Sequence, residues 1–430
     1  MDTELDWSEY ESAGLGDAYA DIPKEGGDFA KAVSVCINSM VCLRPIERGV
    51  MCPSFRVHGD AMFSPGGRSR LLKRMLNGDI SDDEQRLLDR AMAACVSCKG
   101  CKRECDTNLD IATIRVEYLA QKIQRSGVTL RQRAFAALPD LLHYPRVARF
   151  AVSAINSCAL FRKWLSLSDD HPLPIPVKAL SLVPKEQPDS AREVVLWVDS
   201  FTAAYAPEAA SAALQVLEAS GFRVFIVRGL CGGRSAYSQG LVAKARKDAV
   251  RLIKSLEAHI KAGRAVIGLE PSTLLMLRDE LRALGLGTRV DELANNAYLF
   301  EEFLARELNG GRLKLPLRSA SDEPPVMVHG HCHQKSVGAM KSMRKILKQV
   351  PGLEFEFIEA SCCGGAGSFG FEVENAADAR AMAELVLMPV LRARSESQLV
   401  ANGFSCREQV ARLGGPKGIH VAELLARYLA

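Results

Sequence analysis

The chain has 430 residues, more than one ordinary core accommodates, so two or three domains are expected. Its net charge of +4 supplies no basic face of the kind that nucleic-acid binding requires. No run of about eighteen apolar residues marks a transmembrane helix.

The opening stretch MDTELDWSEYESAGLGDAYADIPKEGGD is acidic and lacks the basic start and apolar middle of an export signal. Residues 1–30 are therefore expected to be a flexible acidic arm, and the protein cytoplasmic. The 13 cysteines need a reason. Disulfide-stapled secreted chains are small and carry an even number; this chain is large and its number is odd. The cysteines also crowd together, as Cys36, Cys42 and Cys52, then Cys95, Cys98, Cys101 and Cys105, then Cys332, Cys362, Cys363 and Cys406. Only Cys158 and Cys231 stand apart. In a reducing compartment such crowding points to metal ligation.

Residues 31–125 hold the first two groups on either side of a stretch, Gly67 to Ala93, that reads as helix. Residues 126–190 read as a helical connector, broken by Pro139 and Pro145, and a proline-rich linker, HPLPIPVKALSLVPKEQP. The apolar run ARFAVSAINSCALFRKWL around Cys158 reads as a core or partner-docking face, with shallow contact to the inner membrane face as its other use. From Glu193 strands alternate with helices: VVLWVD, FRVFIV and AVIGLE are strands, with Pro207 to Ser220 and Leu241 to Ala262 as helices between them. The order returns with VMVHG, LEFEFIE and QLVANGF as strands, and Val337 to Val350 and Val373 to Ala393 as helices. Alternation of this length implies parallel strands with right-handed crossovers. The junctions repeat too: LEASGFRVFIVRGLCGG aligns with LKQVPGLEFEFIEASCCGG, placing Cys362 131 residues after Cys231. An internal duplication is expected, with repeat one at 191–320 and repeat two at 321–430. The fold class is thus α+β overall, an α-helical two-cluster ferredoxin-like domain followed by a duplicated parallel-sheet α/β pair.

Cys95-Val-Ser-Cys98-Lys-Gly-Cys101-Lys-Arg-Glu-Cys105 has the C-x-x-C-x-x-C-x-x-x-C spacing of bacterial ferredoxins. Three thiolates wrap one face of a cubane and the fourth turns toward a second cluster. A zinc knuckle would use C-x-x-C pairs instead of four cysteines in one run. Cys36-Ile-Asn-Ser39-Met-Val-Cys42 has the same frame with serine in the middle slot, and Cys52 precedes Pro53. By the crossing rule, Cys52, Cys95, Cys98 and Cys101 hold one [4Fe-4S] cluster. Cys36, Cys42 and Cys105 hold the other, which is a four-iron cluster with an open or serine-ligated iron, a [3Fe-4S] cluster, or a degenerate site.

In the last group each cysteine follows a strand: Cys332 in His329-Gly-His-Cys-His, the Cys362-Cys363-Gly364-Gly365 run, and Cys406. Carboxyl ends of neighbouring parallel strands converge on one crevice, where four thiolates can hold an iron–sulfur cluster or zinc. Of the nearby histidines at least one is expected to cap a strand end. Phe201, Gly232 and Thr273 occupy the corresponding places in repeat one, which keeps only Cys231 and is expected to be structural.

These motifs, with GVMCPSF, SPGGRSRLL, ACVSCKGCKREC, HGHCHQK, CCGGAGSFG and GFSCREQ, resemble the cysteine-rich (CCG) iron–sulfur oxidoreductases. The resemblance is nearest to the C-terminal iron–sulfur module of FAD-linked D-2-hydroxyacid dehydrogenases and to the glycolate oxidase iron–sulfur subunit, and it runs from about residue 31 to the end. The C-x-x-C that closes the motif in that group is Gly403-x-x-Cys406 here. The resemblance implies an electron relay between a flavin-containing dehydrogenase subunit and a quinone or other carrier, with FAD only on the partner. A thiol–disulfide reductase using Cys362 and Cys363 as catalytic thiols, as in heterodisulfide reductase, is the alternative. A non-catalytic scaffold stabilised by its metals is the third.

Overall fold

The structure, a computed structural model, describes residues 2–14, 21–44, 49–177, 181–188, 190–320 and 323–430. Part of the acidic arm (15–20), part of the proline-rich linker (178–180 and 189) and the boundary pair 321–322 lie outside the described residues.

Residues 2–14 do not form a free arm. Leu5 and Trp7 are buried, because the Glu117 carboxylate accepts the Glu4 and Leu5 N–H groups at 3.1 and 2.9 Å and the Trp7 indole N–H at 3.2 Å. The stretch expected as one helix over Gly67 to Ala93 is two, Pro65–Asn77 and Asp82–Ala93. Gly78, at φ +73°, ends the first, and Ser81 with Glu84 makes a capping box for the second. Pro139 lies in the last turn of the Leu130–Leu141 helix without breaking it, and Pro145 opens the Pro145–Ser157 helix.

Two parallel sheets follow. β1 (Arg192–Val198), β2 (Phe222–Arg228), β3 (Ala265–Gly268) and β4 (Ala297–Leu299) run in the order β2-β1-β3-β4. The three-residue β4 lies in a segment that the sequence left without a strand. β5 (Val326–Val328), β6 (Phe355–Phe357) and β7 (Gln398–Val400) run in the order β6-β5-β7. In both sheets the first strand sits between the second and third.

The alternation of side chains along β1 joins the parts. Val195 and Trp197 face a core shared with Leu72, Leu88, Met92 and Ile114 of the cysteine-bearing helices. Val194, Leu196 and Val198 face a core shared with Val326, Val328, Val400 and Leu424 of the second sheet. The first sheet is thus the middle layer.

Charge fixes the same junction. Lys99, between Cys98 and Cys101, is 5% exposed and meets Asp110 at 3.0 Å, Asp279 at 3.0 Å and Glu280 at 3.8 Å. Lys102 meets Asp110 at 3.1 Å and Asp279 at 2.5 Å, and Arg234 meets Glu280 at 2.6 Å. Burial opposes ionisation of Glu280, but Arg234 and Lys99 overcome it and hold the carboxyl down at about 2. Lys99→Met should destabilise the protein by roughly 3 kcal/mol or more, since buried carboxylates lose their cation; urea unfolding at pH 7 measures it. Because the folded Glu280 pKa lies below its unfolded value of about 4.3, its contribution is complete above that pH and is lost as pH falls toward 2. Urea midpoints between pH 7 and 3 should therefore fall more steeply below pH ~4.5 in the native protein than in Glu280→Gln.

Candidate metal centres

Cys52, Cys95, Cys98 and Cys101 line one void, together with Pro53, Ser54, Arg68 and Ile111. The loop around them is set by backbone: Ser97 and Lys99 have φ of 50° and 63°, and the Gly100 N–H reaches the Cys98 sulfur. The Glu104 carboxylate accepts the Val50 and Met51 N–H groups at 2.6 and 3.0 Å, fixing the approach to Cys52. Burial pushes the Cys98 and Cys101 thiols up, so ionising them together requires positive charge nearby.

One such charge is Arg68, 1% exposed. Its guanidinium donates to Cys52 Sγ at 3.4 Å, Ser54 Oγ at 2.7 Å and the Ala91 carbonyl at 2.8 Å. None of these partners is a carboxylate. Burial works against its charge, and the sulfurs of Cys95 and Cys52 outweigh that. A buried cation facing four cysteines fits an anionic iron–sulfur cluster.

Cys36, Cys42 and Cys105 line a second void with Ser39, Gly66 and Arg70. All three cysteines are half-buried, as is Cys95 of the first void. Asn38 and Met40, both at φ 57°, curl the loop that carries Ser39. Among the described residues the thiols around these two voids form no trio within 4.8 Å of one another, which leaves room for a multi-atom group.

The third cysteine group is gathered differently. The ligand atoms of His329, Cys363 and Cys406 all lie within 4.8 Å, with Cys363 Sγ and Cys406 Sγ 3.4 Å apart. Cys332 and Cys362 instead join Val50, Val96 and Cys98 in one buried cluster. Gly364, at φ +78°, has the Ala379 carbonyl oxygen 2.1 Å from where a Cβ would stand, so the turn after the cysteine pair admits only glycine. Its N–H donates to Cys362 Sγ at 3.3 Å. Cys332 and Cys363 both contact Cys362; those contacts push the Cys362 thiol down and the Cys332 and Cys363 thiols up.

The histidines separate by partner. His331 Nδ1 accepts the His333 N–H at 3.1 Å, and His333 Nε2 donates to the Ser97 carbonyl at 2.9 Å. His420 caps the Val421–Arg427 helix and donates to the Leu269 carbonyl. Both ring nitrogens of His329 are buried without a partner.

A cavity of about 200 Å³ opens between the parts. Cys95 to Ser97 line it from the cysteine loop, Arg234, Glu270 and Thr273 from the first sheet, and His331, Cys332, Cys362 and Cys363 from the second. Cys231 is not in its wall; its buried thiol accepts the Gly233 N–H at 3.4 Å and burial pushes it up to about 11. Cys158 sits at the junction of the Pro145–Ser157 and Ala159–Trp164 helices, whose Phe150, Leu160 and Trp164 side chains are exposed. That face is therefore not core. Among the described residues no helix is long and apolar enough to cross a membrane.

Residues 32–109 match the 4Fe-4S dicluster domain family. The chain is 24% identical to the D-2-hydroxyglutarate dehydrogenase of Escherichia coli K12 over 91% of its length, and the match covers 43% of that protein. It is 29% identical to one subunit of the anaerobic glycerol-3-phosphate dehydrogenase of the same organism, over 52% of this chain and 56% of that one. Lactate utilization protein A of Bacillus licheniformis is 24% identical over 43% of this chain and 76% of its own. The chain thus spans less than half of the hydroxyglutarate dehydrogenases it resembles, and the resemblance to cysteine-rich iron–sulfur oxidoreductases holds along it.

Two residues of these sites were not singled out in the sequence. Arg68 stands inside the quoted SPGGRSRLL motif, but only its burial against sulfur shows what it does. His329 was one of several histidines near a strand end. Replacing Arg68 with Gln should lower the reduction potential of a cluster held at Cys52, Cys95, Cys98 and Cys101. One charge at ~5 Å is worth about 3 kcal/mol at an effective dielectric of 20, on the order of 100 mV for one electron. EPR-monitored redox titration checks it, with Arg68→Lys expected between the two.

Proposed function

We propose that the chain is the electron-transfer part of a flavin-dependent 2-hydroxyacid dehydrogenase of the glycolate, D-lactate or D-2-hydroxyglutarate type. It takes electrons from a flavin-bearing partner and passes them to a quinone or other carrier. The observation that carries this reading is adjacency: Cys98, from the ferredoxin-like void, packs in one apolar cluster with Cys332 and Cys362 of the second sheet. This packing brings the Cys98 loop to the wall of the cavity lined by Cys95, Val96, Cys332 and Cys362, where an electron donor or carrier would meet it.

Cys52, Cys95, Cys98 and Cys101 would hold one four-iron cluster. Cys36, Cys42 and Cys105, beside Ser39, would hold a second that is either four-iron or three-iron. Cys332, Cys362, Cys363 and Cys406 are the candidates for a further cluster or zinc. Bound there, the iron–sulfur clusters would supply one-electron storage that no side chain offers, whereas zinc would hold structure without storing electrons. The chain's own residues position the thiolates, balance their charge through Arg68, and keep water from the Cys98 side with Val50, Val96 and Phe369. The exposed face of Phe150, Leu160 and Trp164 offers a docking surface for the partner or the inner membrane. The matching strand order of the two sheets supports an internal duplication in which the first half kept only Cys231.

A thiol–disulfide reductase is the second reading. It is favoured by the contacts linking Cys332, Cys362 and Cys363 beside the cavity, where Cys362 would attack a disulfide.

Anaerobically purified protein should carry two ferredoxin-type clusters by iron, sulfide and EPR analysis. Cys98→Ser should remove the reduced signal of one and destabilise residues 31–125, since metal binding is part of that domain's folding energy; unchanged iron content would sink the ligand assignment. The Ser39 site should give a three-iron signal in air, converted to four-iron in Ser39→Cys. Reduction of the clusters by a flavin dehydrogenase and reoxidation by a quinone analogue supports the relay. Reoxidation by a disulfide alone would favour the reductase.

A further inference from the structure

We propose that His329 is a ligand to a single tetrahedral metal ion of the zinc type, shared with Cys363 and Cys406 at the carboxyl end of the second sheet. This rests on the reading of that sheet as a metal-holding site and narrows it to one chemistry and one ligand set.

The first ground is distance. Cys363 Sγ and Cys406 Sγ are 3.4 Å apart, near the ~3.8 Å that separates two thiolates bound at ~2.3 Å to one tetrahedral ion. A cubane places its cysteines on different irons and needs them spread, as around the two ferredoxin-side voids. The imidazole of His329 closes the trio within 4.8 Å.

The second ground is the imidazole itself. His329 is 1% exposed, and neither ring nitrogen has a hydrogen-bond partner. A polar group of this kind left unsatisfied in the interior is destabilising, and the other histidines of this half have partners. A metal–nitrogen bond removes that cost at one nitrogen. The backbone holds the residue in place, since the His329 N–H donates to the Val400 carbonyl at 2.9 Å and ties the end of β5 to β7.

The third ground is space. A Cβ at Gly403 would clash with the His331 ring and lie 3.2 Å from Cys406 Sγ, so only glycine leaves Cys406 room beside that ring. Cys362, in contact with Cys363, is the adjoining thiol and lines the cavity with it.

The test is elemental analysis of the full chain, purified anaerobically, for zinc, iron and acid-labile sulfide, with visible spectra of cobalt-grown protein. About one zinc per chain is expected beyond the iron, and a cobalt spectrum with thiolate charge-transfer bands. His329→Gln should lower zinc occupancy at least tenfold with iron and sulfide unchanged, and His329→Cys should retain the metal. Full zinc in His329→Gln, with zinc lost in Cys363→Ala, would overturn the histidine ligand alone. Zinc and iron both unchanged in Cys363→Ala would instead remove the metal-site reading on which it rests. Iron and sulfide falling together in His329→Gln would show a cluster there and overturn the single-ion proposal.

Discussion

The ammonium of Lys99 is the charge on which the relation of the three parts turns. It sits one residue after the void-lining Cys98, buried, between Asp110 of its own helical unit and Asp279 and Glu280 of the first sheet's layer. A buried cation is tolerated only when paired, so the cysteine loop and the first sheet are stable together and costly apart. The pairing is geometric as well as energetic. It presses Ser97 toward His333 of the second sheet and leaves Cys98 beside Cys332 and Cys362.

This gives the first sheet, with its single cysteine, a function that ligand counting overlooks. Its two faces bury against the helical unit and against the second sheet, and its carboxylates neutralise the cysteine loop. It thereby sets how the cysteine loop and the second sheet lie against each other. Glu280 serves both neighbours, through Lys99 and through Arg234, whose guanidinium also lies 3.4 Å from the His333 ring.

Sulfur anions in a low-dielectric interior need compensation, and each thiol group receives it from a different source. Arg68 faces the void of Cys52 directly. Lys335, half-buried and with its pKa lowered by desolvation, lies near Cys332, Cys406 and Cys362 and donates to the Ala360 carbonyl. Arg70 lines the void of Cys36, Cys42 and Cys105.

The sequence by itself determined the parts. Cysteine spacing, with the last cysteine of each run crossing to the other site, selected the sets that line two separate voids. Among the described residues the period of the apolar residues located six of the seven strands, missing β4, whose three residues gain their strand character from pairing with β3. Gly78 and Ser81, readable as a stop and a start, were passed over inside one long helical pattern, and the acidic composition of the first residues hid Leu5 and Trp7. Tertiary structure alone decided what meets what. Two of the carboxylates around Lys99 come from a distant part of the chain, at Asp279 and Glu280. The burial of Arg68 depends on Cys52 and Ala91 closing over it, and the isolation of His329 among partnered histidines exists only once β5 and β7 are paired. Local spacing is written in the chain, whereas the loss of water around a charged or polar group is a property of the packed whole.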